Sequence, residues 1–85
     1  MKVKVVGWYT PKTEQVLLNA QAALNAVEPR NKVELISDDS EMVKMGIVRK
    51  PALIINASLK IAGRVPSISE ITKWIEEEMM EEIAA

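Results

Sequence analysis

The sequence predicts an α/β fold, with elements in the order β-α-β-α-β-β-α and a four-stranded mixed sheet flanked by helices. Three observations lead to this prediction. They are short β-branched runs of strand length, two longer segments whose apolar residues recur every three or four positions, and two capping boxes that mark helix starts. With 85 residues and no repeats or linkers, the chain should form one domain over residues 1–85. We expect its core within residues 1–78 and a helical tail at residues 79–85.

The first three elements follow from hydrophobic spacing. Residues 2–6, KVKVV, alternate and are β-branched, which is typical of a strand. Residues 11–27 predict an amphipathic helix through the apolar residues Val16, Leu17, Ala20, Ala23, Leu24 and Val27. Residues 32–36, KVELI, predict a second strand, which the right-handed crossover through the helix makes parallel to the first.

A short helix should follow the second strand. Asp38 and Glu41 have the spacing of a capping box, which predicts a helix from about Ser40 to Lys44 or Met45. The glycine directly after this segment is typical of a helix end in the left-handed conformation.

A β-hairpin should complete the sheet. Residues 52–55, ALII, form a continuous apolar run, as expected of a strand that is covered on both faces. Residues 59–62, LKIA, alternate and follow the tight turn NAS, so we expect them to pair antiparallel with that strand.

The last helix carries most of the acidic residues. Ser67 and Glu70 form a second capping box, which predicts a helix from Ser67 or Ile68 towards Ile83. Residues 67–85 hold six acidic residues against one lysine, and we interpret them as a solvated helix face. The apolar face should comprise Ile68, Ile71, Trp74 or Ile75, and Met79. The group of Met79, Met80 and Ile83 should be partly core and partly exposed, with self-association as the alternative.

Composition excludes several classes of function. The chain has no histidine and no cysteine, which removes the usual zinc ligands and any disulfide, so we predict no metal and no cofactor. A net charge of −1 argues against general attraction to nucleic acid or an anionic membrane. The sequence has no signal peptide and no apolar run near the ~20 residues that span a bilayer, so we predict a cytoplasmic soluble protein.

Three segments resemble the small archaeal and bacterial thioredoxin/glutaredoxin-like proteins known as redox-active disulfide proteins. They are MKVKVVG leading into the first helix, MGIVRKPALIIN with its proline before the third strand, and AGRVPSISEI leading into the last helix. The resemblance covers nearly the whole chain and implies a thioredoxin-like fold in its minimal form. It also implies that Pro51 follows a cis peptide bond and faces the start of the first helix.

The relatives carry a cysteine pair where this chain has Thr10 and Thr13. Thiol–disulfide exchange proceeds by attack of a thiolate on sulfur, and a threonine hydroxyl cannot form the mixed disulfide. Because no cysteine is present, dithiol chemistry is excluded, and we predict a protein without catalytic residues that is not an enzyme. Natural loss of the cysteines is the explanation we favour over engineering, for which Ser or Ala is customary.

The two threonines have structural and functional interpretations. Thr10 can cap the helix through its hydroxyl, with Pro11 at the first helical position, and Thr13 can bond locally. Alternatively, the amides of this turn and Lys12 form a pocket for a carboxylate or phosphate. A threonine nucleophile would need an adjacent base, for which Glu14 or a lysine is the candidate.

The neighbouring residues complete the candidate ligand site. At least one of Trp8 and Tyr9 should point outward as an anchor for a peptide, while the other could pack beneath the loop. The resemblance implies that the backbone before Pro51 pairs with an extended peptide. Lys50 precedes this proline, where relatives more often have a small or polar residue, which counts against glutathione-type recognition. Lys50, and with it Arg64, would add positive charge beside the helix start, or both could be ordinary solvated side chains.

Three functions are compatible with these features. The first is a non-catalytic thioredoxin-fold module that binds an extended peptide or a small anionic ligand, as a monomer or weak homodimer. The second is a degenerate or variant member of a thiol–disulfide oxidoreductase family that serves redox homeostasis. The third is a structural protein whose surface serves assembly.

Overall fold

Seven elements follow one another in the predicted order along residues 1–84, which the computed structural model describes. They are β1 (Val3–Val6), α1 (Pro11–Asn25), β2 (Glu34–Ile36), α2 (Asp39–Lys44), β3 (Ala52–Ile55), β4 (Ser58–Ala62) and α3 (Ile68–Ala84). β2 begins two residues later than predicted, because the amide of Val33 donates to the Oε1 of Gln21 on α1 (2.9 Å). α1 ends before the predicted Val27, whose amide donates to the carbonyl of Leu24 in a tighter turn.

The four strands form one mixed sheet in the order β2-β1-β3-β4. β1 pairs parallel with β2, as the crossover through α1 requires, and Val5 lies opposite Leu35. β3 pairs antiparallel with both β1 and β4. The hairpin between β3 and β4 turns at Asn56, whose φ of 57° is a conformation that asparagine tolerates better than most residues. The predicted topology is therefore confirmed.

Alternation along the two central strands divides the core into two layers. One layer packs β1 and β3 against α1 and α3, and its buried residues are Val3, Val5, Val16, Ala20, Ala23, Leu24, Leu53, Ile55, Ile71 and Ile75. The other layer lies under α2 and contains Val6, Met42, Ala52 and Ile54. All four residues of β3 are buried, as its continuous apolar sequence predicts for a strand covered on both faces.

Local capping fixes where the helices begin. Asp38 accepts from the amides of Ser40 and Glu41, so α2 starts where its capping residue predicts. The box of Ser67 and Glu70 closes in both directions, because the amide of Glu70 donates to the Ser67 hydroxyl (3.1 Å) and the amide of Ser67 donates to the Glu70 carboxylate (3.0 Å). The short helix is followed by Gly46 at φ 71°, as predicted.

A β-bulge in β4 changes the side to which one lysine points. Leu53 pairs with Ile61 and Ile54 pairs with Leu59, which leaves Lys60 as an extra residue in the edge strand. Both Lys60 and Ile61 consequently face α3, and the Nζ of Lys60 donates to Glu78 (2.9 Å).

The acidic run of α3 is not uniformly a solvated face, which corrects the sequence interpretation. Glu78 is only 4% exposed and receives hydrogen bonds from Lys60 and from the Nδ2 of Asn56. The bond from Lys60 is the main cause that lowers the pKa of Glu78 below its ordinary value. The neighbouring Glu76 and Glu77 are exposed, as expected.

The apolar face of α3 is narrower than predicted. Ile71 and Ile75 are buried, Trp74 and Met79 are half-buried against the core, and Ile68 in the first turn is exposed. Met80 and Ile83 are exposed, so the apolar group near the helix end is divided between core and surface. Among the described residues, no helix combines the length and the apolar character that crossing a bilayer requires.

Candidate functional site

The site lies where the end of β1, the start of α1 and the turn before β3 converge. Gly7 is buried directly after β1. A Cβ placed on Gly7 would lie 2.8 Å from the Oγ1 of Thr13 and 3.5 Å from the Cα of Pro51. A glycine here therefore lets the strand end, the helix start and the proline approach one another closely.

Thr10 and Thr13 form a hydroxyl pair at the start of α1. Thr10 is the N-cap, and its Oγ1 accepts from the amide of Thr13 at 3.2 Å. The two hydroxyl oxygens are 3.1 Å apart and share a hydrogen bond. Thr10 is exposed, whereas Thr13 is 2% exposed. Each hydroxyl bonds to the other residue. The geometry therefore supports the structural interpretation, in which Thr10 caps the helix and Thr13 bonds locally.

The cap uses up most of the helix amides that an anion could bind. Pro11 has no N–H, the amide of Thr13 donates to Thr10, and the amide of Glu14 donates to the carbonyl of Thr10 (2.9 Å). Within the described residues, the amide of Lys12 is the one backbone N–H of this turn that remains for an anion. Attraction for an anion must therefore come mainly from side-chain charge rather than from the end of the helix.

Trp8 and Lys50 stack beside the threonines. The peptide bond between Lys50 and Pro51 is cis, as the resemblance implies. The Nζ of Lys50 lies 4.4 Å from the centroid of the Trp8 ring, within the range of a cation–π interaction. The Nε1 of Trp8 donates to the Oδ1 of Asp39 at 2.6 Å. The indole thus connects the loop after β1 with α2.

Most of the predicted ligand-binding residues meet in one open pocket of about 470 Å³. It is lined by Trp8, Thr10, Pro11, Lys12, Thr13, Lys50 and Pro51. Tyr9 instead lines an adjoining pocket, together with Leu17 and Glu14. Neither aromatic packs beneath the loop, since Trp8 is 51% exposed and Tyr9 is 84% exposed.

Arg64 does not reach this pocket. Its guanidinium holds the carboxylate of Glu70 at the start of α3, with one contact of 3.0 Å from Nη1 to Oε1. This interaction is the main cause that lowers the pKa of Glu70 to about 2. The guanidinium of Arg49 lies beside Gly63, where a Cβ on that glycine would approach it to 3.0 Å, and it does not line the pocket either. The positive side chains that line the pocket are therefore those of Lys12 and Lys50.

Asp39 is the residue of this site that the sequence interpretation missed. It lies 31 residues from Trp8, in the first turn of α2, and the sequence analysis gave it no role. No local pattern links an aspartate to a tryptophan at that separation. Among the described residues there is also no cluster of three acidic side chains that could hold a metal ion.

Comparison with known proteins agrees with the fold. The family described as the thioredoxin domain matches residues 1–76. The chain is also similar to a thioredoxin of Methanothermobacter thermautotrophicus, with 29% identity over 73 residues that cover 86% of this chain and 95% of the relative. No solved structure matches the chain. The family match spans nearly every element described above, and this cysteine-less chain belongs to the thioredoxin domain family.

Proposed function

We propose that this chain is a non-catalytic binding module that takes an extended acidic peptide in the pocket beside Trp8, Thr10, Lys50 and Pro51. The observation that carries the proposal is the composition of this pocket, in which an exposed indole and two lysines surround a surface without a thiol. The proposed setting is the cytoplasm, and the proposal requires neither nucleic acid nor a membrane.

Chemistry argues for binding rather than catalysis. Thiol–disulfide exchange needs a thiolate, and this chain contributes none. The hydroxyl of Thr10 bonds to Thr13 rather than to a carboxylate or an amine, so it lacks the partner that would activate a nucleophile. Retention of the pocket without the reactive atoms favours recognition as the function.

The charge and shape of the pocket favour an acidic extended chain. Lys12 and Lys50 supply two ammonium groups, and Trp8, Pro11 and Pro51 supply apolar surface. β3 begins at Ala52, so the backbone of Lys50 precedes the strand ladder and can pair with a peptide, as the resemblance to thioredoxin-like proteins implies. A small anion would use the same lysines without the apolar surface.

A chemical-shift titration tests the proposal. The chain is titrated with a peptide that contains two glutamates and with the same peptide carrying glutamines. We expect the acidic peptide to shift the resonances of Trp8, Thr10 and Lys50 and the glutamine peptide to bind more weakly. Lys50→Gln should reduce the shifts, whereas Lys73→Gln, an exposed lysine on α3, serves as the matched control. Absence of shifts at these residues contradicts the proposal, and equal binding of free glutamate indicates a small anion instead.

A second candidate, a degenerate oxidoreductase, is favoured by the geometry of the hydroxyl pair. The hydroxyl oxygens of Thr10 and Thr13 are 3.1 Å apart, so cysteine sulfurs at these positions would have to approach one another by about 1 Å to form a disulfide. We predict that the double variant Thr10→Cys with Thr13→Cys forms an intramolecular disulfide and gains activity in insulin reduction. Thiol counting before and after reduction measures the disulfide. The single variant Thr10→Cys is the control, and a double variant that keeps both thiols free under oxidising conditions contradicts the prediction.

A further inference from the structure

The indole of Trp8 is held at two points. Its Nε1 donates to the Oδ1 of Asp39 at 2.6 Å, and one ring face lies 4.4 Å from the Nζ of Lys50. Both of these groups come from segments distant in sequence, one in the first turn of α2 and the other before β3. The half-exposed ring is therefore fixed by polar contacts rather than by burial.

This arrangement determines what the aromatic wall of the pocket offers to a ligand. The ammonium group of Lys50 occupies one face of the indole, so an aromatic ring of a ligand cannot stack on that face. A carboxylate that approaches from the pocket meets the ammonium, which the ring keeps in place through the cation–π interaction. An ammonium held in one position loses less conformational freedom on binding than a freely moving lysine side chain.

We propose that Asp39 is a positioning residue of the pocket. By holding the indole of Trp8 beneath Lys50, it makes the pocket select a carboxylate side chain rather than an aromatic one. This inference rests on the proposed peptide-binding function and assigns it a specificity-determining residue that lies outside the pocket lining.

The charge of Asp39 and its hydrogen bond have opposite effects on an acidic ligand. As a negative charge near the site, the carboxylate would repel the ligand, so its removal alone should strengthen binding. As a hydrogen-bond acceptor, it fixes the indole, so loss of the acceptor should weaken binding. Asp39→Asn removes the charge and keeps an acceptor oxygen, whereas Asp39→Ala removes both.

The experiment compares these two variants with wild type for the glutamate peptide, its glutamine counterpart and a counterpart carrying phenylalanine. We expect Asp39→Ala to bind the glutamate peptide about 3- to 10-fold more weakly and to lose part of its preference over phenylalanine. Asp39→Asn should bind as tightly as wild type or more tightly. Glu41→Ala, which removes another exposed carboxylate of α2, is the matched control and should leave affinity within about twofold.

A measurement without ligand separates the outcomes. The indole N–H resonance of Trp8 should shift in Asp39→Ala and stay near its wild-type position in Asp39→Asn, because only the alanine variant loses the acceptor. If wild type binds the glutamate peptide and both variants bind like wild type or change in the same direction, the inference is overturned while the binding function stands. If wild type binds none of the peptides, the proposed function fails and this inference fails with it.

Discussion

Gly7 shapes the candidate site directly, because it has no side chain. It is buried between the Oγ1 of Thr13 and the Cα of Pro51. Neither neighbour can move freely, because Thr13 is packed in the first turn of α1 and Pro51 is itself buried. The close approach of β1, α1 and the proline turn thus depends on one residue.

At this scale we predict that Gly7→Ala destabilises the protein. The new methyl carbon would lie 2.8 Å from the Thr13 hydroxyl, so the helix start must shift, at a cost of about 1–3 kcal/mol in the free energy of unfolding. Urea denaturation followed by circular dichroism measures the change.

The double variant Gly7→Ala with Thr13→Ala identifies the cause. Removing the Thr13 hydroxyl makes room for the methyl group, so the double variant should lose less stability than the sum of the two single variants. Strict additivity would mean that the strain lies elsewhere.

Single residues show where sequence reasoning succeeds and where it stops. Thr10 could be identified as an N-cap because the cap and its partner are three residues apart. The role of Asp39 depends on a contact across 31 residues, and Arg64 pairs within its own segment rather than at the pocket. Side-chain partners at long range follow from the packing of whole elements, which residue types alone do not specify.

At the scale of elements, β4 and α3 are joined by a charged contact inside the fold. The bulge at Lys60 turns its side chain towards α3, where Glu78 accepts its hydrogen bond at 2.9 Å. Asn56 in the hairpin turn donates to Glu78 and to Glu82, which extends the contact towards the helix end. The C-terminal half of α3 is therefore held to the sheet by polar as well as apolar contacts.

We predict that Glu78→Gln lowers the melting temperature more than Glu76→Gln does. The first change leaves the ammonium group of the largely buried Lys60 without its carboxylate, whereas Glu76 is exposed on the same helix. Thermal unfolding of both variants at neutral pH and low salt makes the comparison. Equal melting temperatures would show that Lys60 reaches solvent when its partner is neutral.

The double variant Lys60→Met with Glu78→Leu should recover stability relative to Glu78→Gln. Replacing both partners by apolar groups leaves no unpaired charge, and such replacements are often neutral or stabilising. If the double variant unfolds at a lower temperature than Glu78→Gln, the ion pair of Lys60 and Glu78 itself stabilises the fold.

The order and types of the elements were predictable, whereas the bulge was not. The capping box at Ser67 and the apolar run of β3 are local signals, and both elements occur where these signals indicate. The alternation of LKIA suggested a regular strand, and the extra residue is evident only from its pairing with β3. Likewise, nothing in the acidic run distinguished Glu78 from its exposed neighbours before Lys60 was placed opposite it.

At the scale of the whole molecule, acid should be the condition that weakens the fold. The pKa of Glu70 is lowered to about 2, chiefly by Arg64, and hydrogen bonds from Ser40 and Lys60 respectively lower the pKa values of Asp38 and Glu78. Each carboxyl binds protons less readily in the folded than in the unfolded state. The contribution of Glu70 is therefore fully present above its unfolded pKa of about 4.5 and is lost as pH falls towards about 2, and those of Asp38 and Glu78 are likewise lost as pH falls through their lowered folded-state pKa values.

We predict that the free energy of unfolding decreases steadily from about pH 5 to pH 2. The chain has no histidine, the side chain that ordinarily titrates between pH 5 and 8, so no such decrease should arise from a histidine near neutrality. Urea denaturation at a series of pH values measures the profile. Glu70→Gln should have a shallower acid slope than wild type, and identical slopes would contradict the assignment to Glu70.

The topology of the whole molecule was the most predictable feature. The first crossover fixes β1 and β2 as parallel, and the tight turn fixes β3 and β4 as antiparallel, so few arrangements remain. The pocket was predictable only in part, because the resemblance placed Pro51 opposite the helix start while the stack of Lys50 on Trp8 needed coordinates.

We predict that the extra residue in β4 links strand length to helix composition across homologues. A relative with one residue fewer in this strand would have an uninterrupted ladder, in which the residue opposite Leu53 is the counterpart of Ile61 and no lysine lies beside it. An acidic residue at the position of Glu78 would lie opposite an apolar group and should be replaced. Homologues with the shorter strand should therefore carry an aliphatic residue at the position of Glu78. The extra residue in β4 and the acidic residue in α3 should be present or absent together.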